Sequence, residues 1–156
     1  MKVEKNCDES QLVALMQELA RELSHRSGSC WILLEGPLGA GKSTAARALI
    51  QALDGALPPE GSPTFALAHE YVNRAGREII HLDLYRLDSL QEVEAAGVPA
   101  YFWERPGAIV ISEWTSKFPA LEESLTQEAS CSLWRVDLQF KDSSQTRQVR
   151  IQAFCS

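Results

Sequence analysis

The sequence is constrained most strongly by one glycine-rich loop. Residues 36–43 read Gly-Pro-Leu-Gly-Ala-Gly-Lys-Ser, between an apolar run, Cys30 to Leu34, and a helix-forming run, Thr44 to Leu53. A strand, such a loop and a helix in this order predict a phosphate cradle, because successive backbone N–H groups and the positive end of the helix face one anion. The alternative is an ordinary glycine turn, which needs neither the strand nor the helix.

The positions of this loop have separate expected roles. Lys42 is expected to reach the outer phosphates of a nucleotide, and the hydroxyl of Ser43 is expected to hold magnesium. The predicted nucleotide-binding residues are Pro37, Leu38, Gly39, Ala40, Gly41, Lys42, Ser43 and Thr44.

The size and charge of the chain limit the classes of function. The chain has 156 residues, 45% of them hydrophobic, which predicts a single domain over residues 1–156. Its net charge of −6 argues against independent, tight binding to nucleic acid, since that requires clustered lysine and arginine. Any nucleic acid involved is therefore expected to be held by another protein.

The cysteines and the hydropathy pattern predict a cytoplasmic protein. The four cysteines show no C-x-x-C spacing, which is typical of reduced thiols. The first thirty residues are charged throughout and lack an apolar signal core. No apolar run approaches the length that spans a bilayer, so no membrane contact is expected.

The remaining patterns predict helices and strands around the loop. Leucines at helical spacing between Leu12 and Leu23 predict an amphipathic helix that begins near Asp8 or Ser10. Two strand-like runs joined by turn residues 73–76 predict an antiparallel hairpin. The other predicted elements are a short helix, a buried strand, a second helix and a closing hairpin. The ranges are Thr64 to Tyr71 and Glu78 to Tyr85 for the first hairpin, then Ser89 to Ala96, Ala108 to Ile111, Pro119 to Leu125, and a turn at Asp142 to Gln145.

Two acidic residues stand where a magnesium–nucleotide site needs carboxylates, at the ends of apolar runs. Glu113 follows the run from Ala108, and Asp83 follows Ile79-Ile80-His81-Leu82. We predict that Glu113 binds the metal and that Asp83 is a second metal contact or positions the attacking water. The alternative for either one is an ordinary exposed acid at a strand end.

Residues 62–65, Ser-Pro-Thr-Phe, lie between the loop and Asp83. The order of loop, helix, hydroxyl-bearing segment, hairpin and acid is that of nucleotide switches, so Thr64 is a candidate sensor of the outer phosphate and its metal. The alternative is that this segment merely begins an edge strand.

Other polar and aromatic residues give weaker signals. The three histidines are too scattered for a zinc site and are interpreted as solvated or strand residues: His25, His69 and His81. Three arginines are candidates for stabilising transferred phosphate, although a lone arginine is more often solvated or ion-paired: Arg86, Arg105 and Arg135. Trp103 and Trp114 fit base stacking or a partner surface, but packing is the commoner explanation.

Taken in order, four motifs make the sequence similar to the TsaE family, formerly called YjeE. They are Gly36 to Thr44, Ser62 to Phe65, His81 to Arg86, and Glu113-Trp114, with the segment from Gly97 to Phe102 between the last two. The resemblance covers most of the span from the first strand to Trp114, and the last forty residues match only in pattern. It implies a small P-loop ATPase that uses ATP and Mg²⁺ and works with TsaD and TsaB in threonylcarbamoyl modification of tRNA adenosine beside the anticodon.

The resemblance also implies roles for individual residues. Lys42 and Ser43 correspond to the lysine and hydroxyl residue that bind phosphate and magnesium, and Glu113 to the metal-side glutamate. Asp83 corresponds to the second essential acid and Thr64 to a switch-like threonine; residues near Asp8 to Gln11 are implied to approach the adenine. The implied catalytic set is Lys42, Thr64, Asp83 and Glu113, and the implied metal set is Ser43, Asp83 and Glu113.

The chain departs from the family pattern at two places in the loop. Family members commonly have an acidic residue at the position of Pro37 and Thr-Thr at Ser43-Thr44. Proline removes one backbone N–H, and serine still offers a hydroxyl, so nucleotide binding is expected to persist.

The expected fold is α/β: a P-loop NTPase-like three-layer fold with a mixed, partly antiparallel central sheet. The leading functional hypothesis is a magnesium-dependent ATPase, slow alone and stimulated by its partner complex. The first alternative is a small-molecule or nucleotide kinase whose acceptor pocket would use Arg74, Arg77 and Arg86. A GTP-binding switch ranks last, because no Asn-Lys-x-Asp segment is present to bind guanine.

Overall fold

Seven strands form one sheet in the computed structural model, which describes residues 1–54, 67–128, 130–141 and 145–154. The strands are β1 (Lys2–Cys7), β2 (Cys30–Glu35), β3 (Ala68–Val72), β4 (Glu78–Asp83), β5 (Ile109–Glu113), β6 (Ser132–Lys141) and β7 (Thr146–Ala153). Their order across the sheet is β1-β7-β6-β2-β5-β4-β3. The four central strands are parallel, whereas β1, β7 and β3 pair antiparallel with their neighbours.

Helices cover both faces of this sheet. They are α1 (Glu9–Ser24), α2 (Lys42–Ala52), α3 (Leu90–Ala95), α4 (Val98–Trp103) and α5 (Pro119–Gln127), with a 3-10 turn at Thr115–Lys117. The leucines of α1 and the apolar side of α2 pack on one face with Ile32 and Trp134. The helices α3, α4 and α5 pack on the other face with Trp31 and Leu33. The predicted three-layer fold with a mixed sheet is therefore confirmed.

The strand at the centre of the sheet is apolar because both of its faces are covered. Every residue of β2 is buried, and α2 follows directly after the glycine-rich loop. The parallel pairing of β2 with β5 and of β5 with β4 brings the carboxyl ends of all three strands to one edge of the sheet. This edge carries the loop, Glu113 and Asp83, so it is where the predicted site must be sought.

Arg77 ties the opposite edge of the sheet together. Its guanidinium donates hydrogen bonds to the carbonyl oxygens of Leu23, Arg26, Gly28 and Gly107 at 2.7–3.0 Å. Arg74, in the same hairpin turn, pairs with Asp54. Both arginines lie before the start of β4, at the edge away from the glycine-rich loop. Arg74 and Arg77 therefore cannot form the acceptor pocket that the kinase hypothesis requires beside the loop.

Most predicted elements are present, two elements are additional, and some predicted ranges lie outside the described residues. The hairpin around residues 73–76 is confirmed, but its first strand begins at Ala68; residues 55–66, including Thr64 and the Ser62 to Phe65 motif, lie outside the described residues. The turn of the closing hairpin lies in part there too. The strand β1 and the helix α4 are additional. β1 was missed because its sequence, KVEKNC, is largely polar and it forms by backbone pairing with β7; α4 has only six residues, one of them proline.

Two further sequence expectations concern cysteines and membranes. Cys7, Cys30 and Cys131 are buried free thiols, in agreement with the prediction of reduced cysteines. Within the described ranges, every helix is too short or too polar to cross a bilayer.

Candidate functional site

The glycine-rich loop wraps the amino end of α2. Gly41 caps this helix with φ of 105° and, having no side chain, offers no side-chain acceptor to the first N–H groups of α2. These N–H groups and the helix dipole favour an anion at this point. Gly36 also requires glycine, because a Cβ there would collide with the backbone oxygen of Leu138, and its φ is 141°. The loop thus brings backbone N–H groups and the positive end of α2 to one place; phosphate binding there stays a prediction.

Lys42 lies within the loop rather than in solvent. Its Nζ donates to the carbonyl oxygens of Gly36 at 2.8 Å and Pro37 at 2.9 Å, and lies 3.8 Å from the centre of the Trp114 ring. Burial lowers the pKa of the Lys42 ammonium, and this effect is opposed first by Glu113 and then by Glu35 and Asp83. The charge of Lys42 is therefore held where nearby acids and an aromatic ring stabilise it.

The two predicted acids are neighbours in the sheet. Asp83, the last residue of β4, stands in register with Glu113, the last residue of β5. Glu113 is 2% exposed, whereas Asp83 is exposed and accepts a hydrogen bond from the Tyr85 N–H at 3.0 Å. Glu113 is thus the fixed acid and Asp83 the accessible one.

Two side chains fix the Glu113 carboxylate. The hydroxyl of Ser43 donates to Oε2 at 3.3 Å, and Nε2 of His81 lies 2.8 Å from Oε1. The sequence did not predict this contact of His81, since it indicates only a solvated or strand residue there. Strand alternation puts His81 on the same face of β4 as Asp83, two residues later, but its contact with Glu113 also depends on the register of β4 and β5.

A cavity of about 260 Å³ joins these groups. Its lining includes six of the predicted loop residues and both acids: Leu38, Gly39, Gly41, Lys42, Ser43, Thr44, Asp83 and Glu113. Ala40 is buried beneath the loop, and its N–H donates to the oxygen of Pro37 at 3.1 Å. Tyr85, Trp114 and Arg147 complete the lining.

The donor atoms in the cavity fit a hard cation better than a soft one. Ser43, Glu113 and Asp83 offer hydroxyl and carboxylate oxygens, which are the ligands that Mg²⁺ prefers. Within the described residues, no three His, Cys, Asp or Glu side chains converge as a metal cage.

The arginines named from sequence do not line this cavity. Arg105 forms ion pairs with Glu70 and Glu78. Arg135 forms ion pairs with Glu122 and Asp137. Both arginines are therefore ion-paired, which is the alternative stated for them from sequence. Arg86 is an exposed residue. The arginine that does line the cavity is Arg147, from β7, which no sequence motif indicated.

Glu35 is a second residue missed from sequence. It ends β2 directly before the loop and is 3% exposed. Its carboxylate accepts hydrogen bonds from the N–H of Ser116 at 3.1 Å and from the Ser116 hydroxyl at 2.5 Å. Burial raises the pKa of the Glu35 carboxyl against the opposing effect of these hydrogen bonds. The rule that found Glu113, an acid after an apolar run, could have found Glu35.

The Ser116 contact links the loop to the segment after Glu113. Trp114 begins that segment with φ of 66°, unusual for a residue with a side chain, and its ring lies 5.0 Å from the ring of Tyr85. Lys117, one turn later, donates to the oxygen of Tyr85 at 2.6 Å. The walls of the cavity are therefore joined to one another by side-chain contacts.

The chain matches one protein-family model. The model is that of TsaE, described as threonylcarbamoyl adenosine biosynthesis protein TsaE, and the match covers residues 7–149. The three motifs around Lys42, Asp83 and Glu113 all lie inside this range.

Curated proteins named tRNA threonylcarbamoyladenosine biosynthesis protein TsaE are similar over much of the chain. The protein of Haemophilus influenzae is 40% identical over 93 residues, covering 60% of this chain and 56% of its own length. That of Nostoc is 45% identical over 93 residues, covering 56% and 54%. That of Aquifex aeolicus is 42% identical over 93 residues, covering 58% and 67%. The chain thus spans little more than half the length of the first two relatives.

A solved structure shares the fold. The crystal structure of Bacillus subtilis YdiB superposes with a TM-score of 0.64 over 99% of this chain and 88% of that one. At 20% sequence identity, this likeness concerns the fold alone.

Proposed function

We propose a function for this chain on the premise that it belongs to the TsaE family, the threonylcarbamoyl adenosine biosynthesis proteins. The function is magnesium-dependent ATP hydrolysis that serves a TsaD–TsaB complex in threonylcarbamoyl modification of the tRNA adenosine beside the anticodon. The tRNA is contacted through those partners, and the protein acts in the cytoplasm. One observation carries the proposal: Lys42, Ser43 and Glu113 meet at the end of the phosphate cradle, with Ser43 hydrogen-bonded to Glu113.

The loop and Lys42 bind the phosphates in this mechanism. The N–H groups at the start of α2 donate to phosphate oxygens, and the glycine at the N-cap leaves space for a phosphate to approach them. The Lys42 ammonium, already between the loop carbonyls and the acids, neutralises phosphate charge. Preorganised donors of this kind stabilise charge that develops during phosphoryl transfer without reorganisation.

Ser43 and Glu113 would hold the magnesium ion, which supplies neutralisation of charge on the outer phosphates. The Glu113 carboxylate is positioned for this by His81 and buried against movement. Asp83 is the acid that water reaches, because it is exposed at the same edge of the sheet. We assign it to orienting the attacking water, with Thr64 as the sensor of the outer phosphate.

The negative net charge of the chain supports a protein target rather than direct binding to tRNA. A surface with a net charge of −6 repels the phosphate backbone, so contact with tRNA is better assigned to a partner. One aromatic residue that lines the cavity, Tyr85, is 46% exposed and suits a protein surface.

The proposed activity is tested by phosphate release from Mg·ATP by the purified chain. We expect slow hydrolysis that disappears in Lys42→Ala and persists in Lys2→Ala, a matched control that is exposed at the start of β1, at the edge of the sheet away from the loop. Equal rates for the wild type and Lys42→Ala would assign the hydrolysis to a contaminant and refute the site. Phosphate transfer to an added acceptor, in step with ADP formation, would establish the kinase alternative instead.

A further inference from the structure

We infer that Arg147 is a phosphate-binding residue of this site and contacts the phosphates that ATP and ADP share. The inference rests on the proposed function, because it assumes a nucleotide in the cradle. Arg147 lies on β7, more than a hundred residues after the glycine-rich loop, and no motif of the sequence includes it.

The position of Arg147 over the loop is the first observation. A Cβ built on Gly41 would lie 3.0 Å from Nε and 3.5 Å from Cδ of Arg147. Gly41 caps α2, so the guanidinium group stands beside the N–H groups at the start of that helix. Arg147 also lines the cavity, together with Lys42 and Ser43. The arginine therefore adds its charge to the place where the helix dipole already favours an anion.

The unfilled hydrogen-bonding capacity of Arg147 is the second observation. Its Nε atom is buried, and within the part of the chain that the structure describes it has no hydrogen-bond partner. A buried donor without an acceptor is unfavourable, so native proteins rarely retain one. By comparison, Arg150 on the same strand pairs with Glu4. An anion in the cradle would supply an acceptor for this Nε atom.

The sheet order indicates which phosphates Arg147 can reach. The loop follows β2, and the acids Glu113 and Asp83 lie on β5 and β4 to one side of it. Arg147 lies on β7, two strands away on the other side, which at the usual strand spacing is about 10 Å. Because Ser43 and Glu113 place the metal and outer phosphate on the acid side, Arg147 faces the inner phosphates.

The charges along the cavity are consistent with this division. Two acids line one flank, Lys42 lies at the centre, and Arg147 lies at the opposite flank. A nucleotide tail with several negative charges meets both cations within one cavity. Arginine suits such a position, since its guanidinium can donate two parallel hydrogen bonds to phosphate oxygens.

The register of the sheet fixes the side chain in this place. Arg147 pairs with Phe140 of β6 and with Cys7 of β1, so it continues the row of Val149 and Ile151, which face α1. This row of side chains leaves the core at the end of β7 nearest the loop. The Phe140 ring also lies there, 3.7 Å from the position that a Cβ on Gly39 would occupy. The closing hairpin thus forms the wall of the cradle opposite the acids.

The test is equilibrium binding of ATP and of ADP, with magnesium, to the wild type, Arg147→Gln and Arg150→Gln. We expect Arg147→Gln to weaken both nucleotides by the same factor, about tenfold to hundredfold, as for a lost charge-assisted hydrogen bond. We expect kcat at saturating ATP to change by less than about threefold, because the inner phosphates are bound equally before and during transfer. Arg150→Gln, on the opposite face of the same strand, should bind both nucleotides like the wild type.

Three outcomes would overturn the inference. Unchanged affinity in Arg147→Gln would show that the side chain does not touch the nucleotide. A large loss of kcat at unchanged affinity would make it a group for the transferred phosphate, and a loss for ATP alone would place it at the outer phosphate. Failure of the wild type to bind either nucleotide would instead refute the proposed function itself.

A second variant covers the case in which Arg147→Gln does not fold. Arg147→Lys keeps a positive charge and a long aliphatic stem but loses the fork of parallel donors. It should bind ATP and ADP more weakly than the wild type and more tightly than Arg147→Gln, with an unfolding midpoint in urea near that of the wild type. Wild-type affinity for both nucleotides in Arg147→Lys would contradict the bidentate contact.

Discussion

Nε2 of His81 lies 2.8 Å from Oε1 of Glu113, on neighbouring parallel strands of the sheet. The other carboxylate oxygen of Glu113 accepts a hydrogen bond from Ser43, so the two contacts together set the plane of the carboxylate. His81 is 16% exposed at its side chain and Glu113 3%, which keeps water from competing for this contact. In the proposed mechanism His81 is a positioning residue that acts through Glu113.

Replacing His81 should therefore lower turnover without removing nucleotide binding. We expect His81→Leu to reduce kcat for ATP hydrolysis about tenfold or more, with the affinity for ADP in the absence of magnesium unchanged. His81→Gln, which can still donate to Glu113, should recover part of the loss. The matched control is His69→Leu, since His69 stands opposite His81 on β3 and has no contact with Glu113 among the described residues. Equal losses in His69→Leu and His81→Leu would contradict the positioning role.

Removing the hydroxyl of Ser43 should change the demand for magnesium. Ser43→Ala deletes a donor to Glu113 and a proposed metal ligand, so we expect the magnesium concentration for half-maximal hydrolysis to rise about tenfold. Ser43→Thr keeps the hydroxyl and should titrate like the wild type. A magnesium titration of Ser43→Ala that overlays the wild-type curve would remove Ser43 from the metal shell.

Neutralising Glu113 should affect catalysis more than ATP binding. Glu113→Gln keeps the size of the side chain and can still meet His81 and Ser43, but it loses the charge that faces the metal. We expect kcat to fall about a hundredfold while the affinity for ATP changes less than about tenfold. Asp83→Asn provides the comparison. A pattern in which Asp83→Asn loses metal dependence and Glu113→Gln does not would mean that the roles of the acids are reversed.

Glu35 should make the stability of the protein depend on pH. Because burial raises the pKa of this carboxyl in the folded protein, the folded state holds its proton more tightly than the unfolded state. Its contribution to stability is thus complete below the unfolded pKa, about 4.3, and is lost as pH rises through the folded pKa. Glu35→Gln cannot ionise and can still pair with both Ser116 groups.

The measurement is urea unfolding of the wild type and Glu35→Gln between pH 4 and pH 8. We expect the difference in free energy of unfolding, Glu35→Gln minus wild type, to increase as pH rises. The increase should reach up to about 1.4 kcal/mol for each unit by which the Glu35 pKa is raised. All other titrating groups are common to the two proteins, so the difference isolates Glu35. A difference that stays constant across this pH range would contradict the raised pKa.

The sequence predicted the parts of the site that depend on local order along the chain. The loop is a contiguous motif, and Glu113 and Asp83 follow apolar runs, so parallel pairing was enough to bring them to one edge. The strand β2 and the helix α2 follow from the same local patterns.

Contacts that depend on strand register and order were beyond the sequence patterns. The pairing of His81 with Glu113 requires that β4 and β5 be neighbours in one register, and the position of Arg147 requires β7 to lie beside β6. Glu35 and Ser116 meet across 81 residues of chain. The arginines that sequence reasoning singled out, Arg105 and Arg135, were instead satisfied by acids close to them in the fold.

The central claim is tested most directly by the rate of ATP hydrolysis with and without a matching TsaD–TsaB complex, with Lys42→Ala as the contaminant control. The account predicts slow hydrolysis alone, a several-fold higher rate with the complex, and no stimulated hydrolysis in Lys42→Ala. A rate that the complex leaves unchanged, although ATP is bound, would contradict the account.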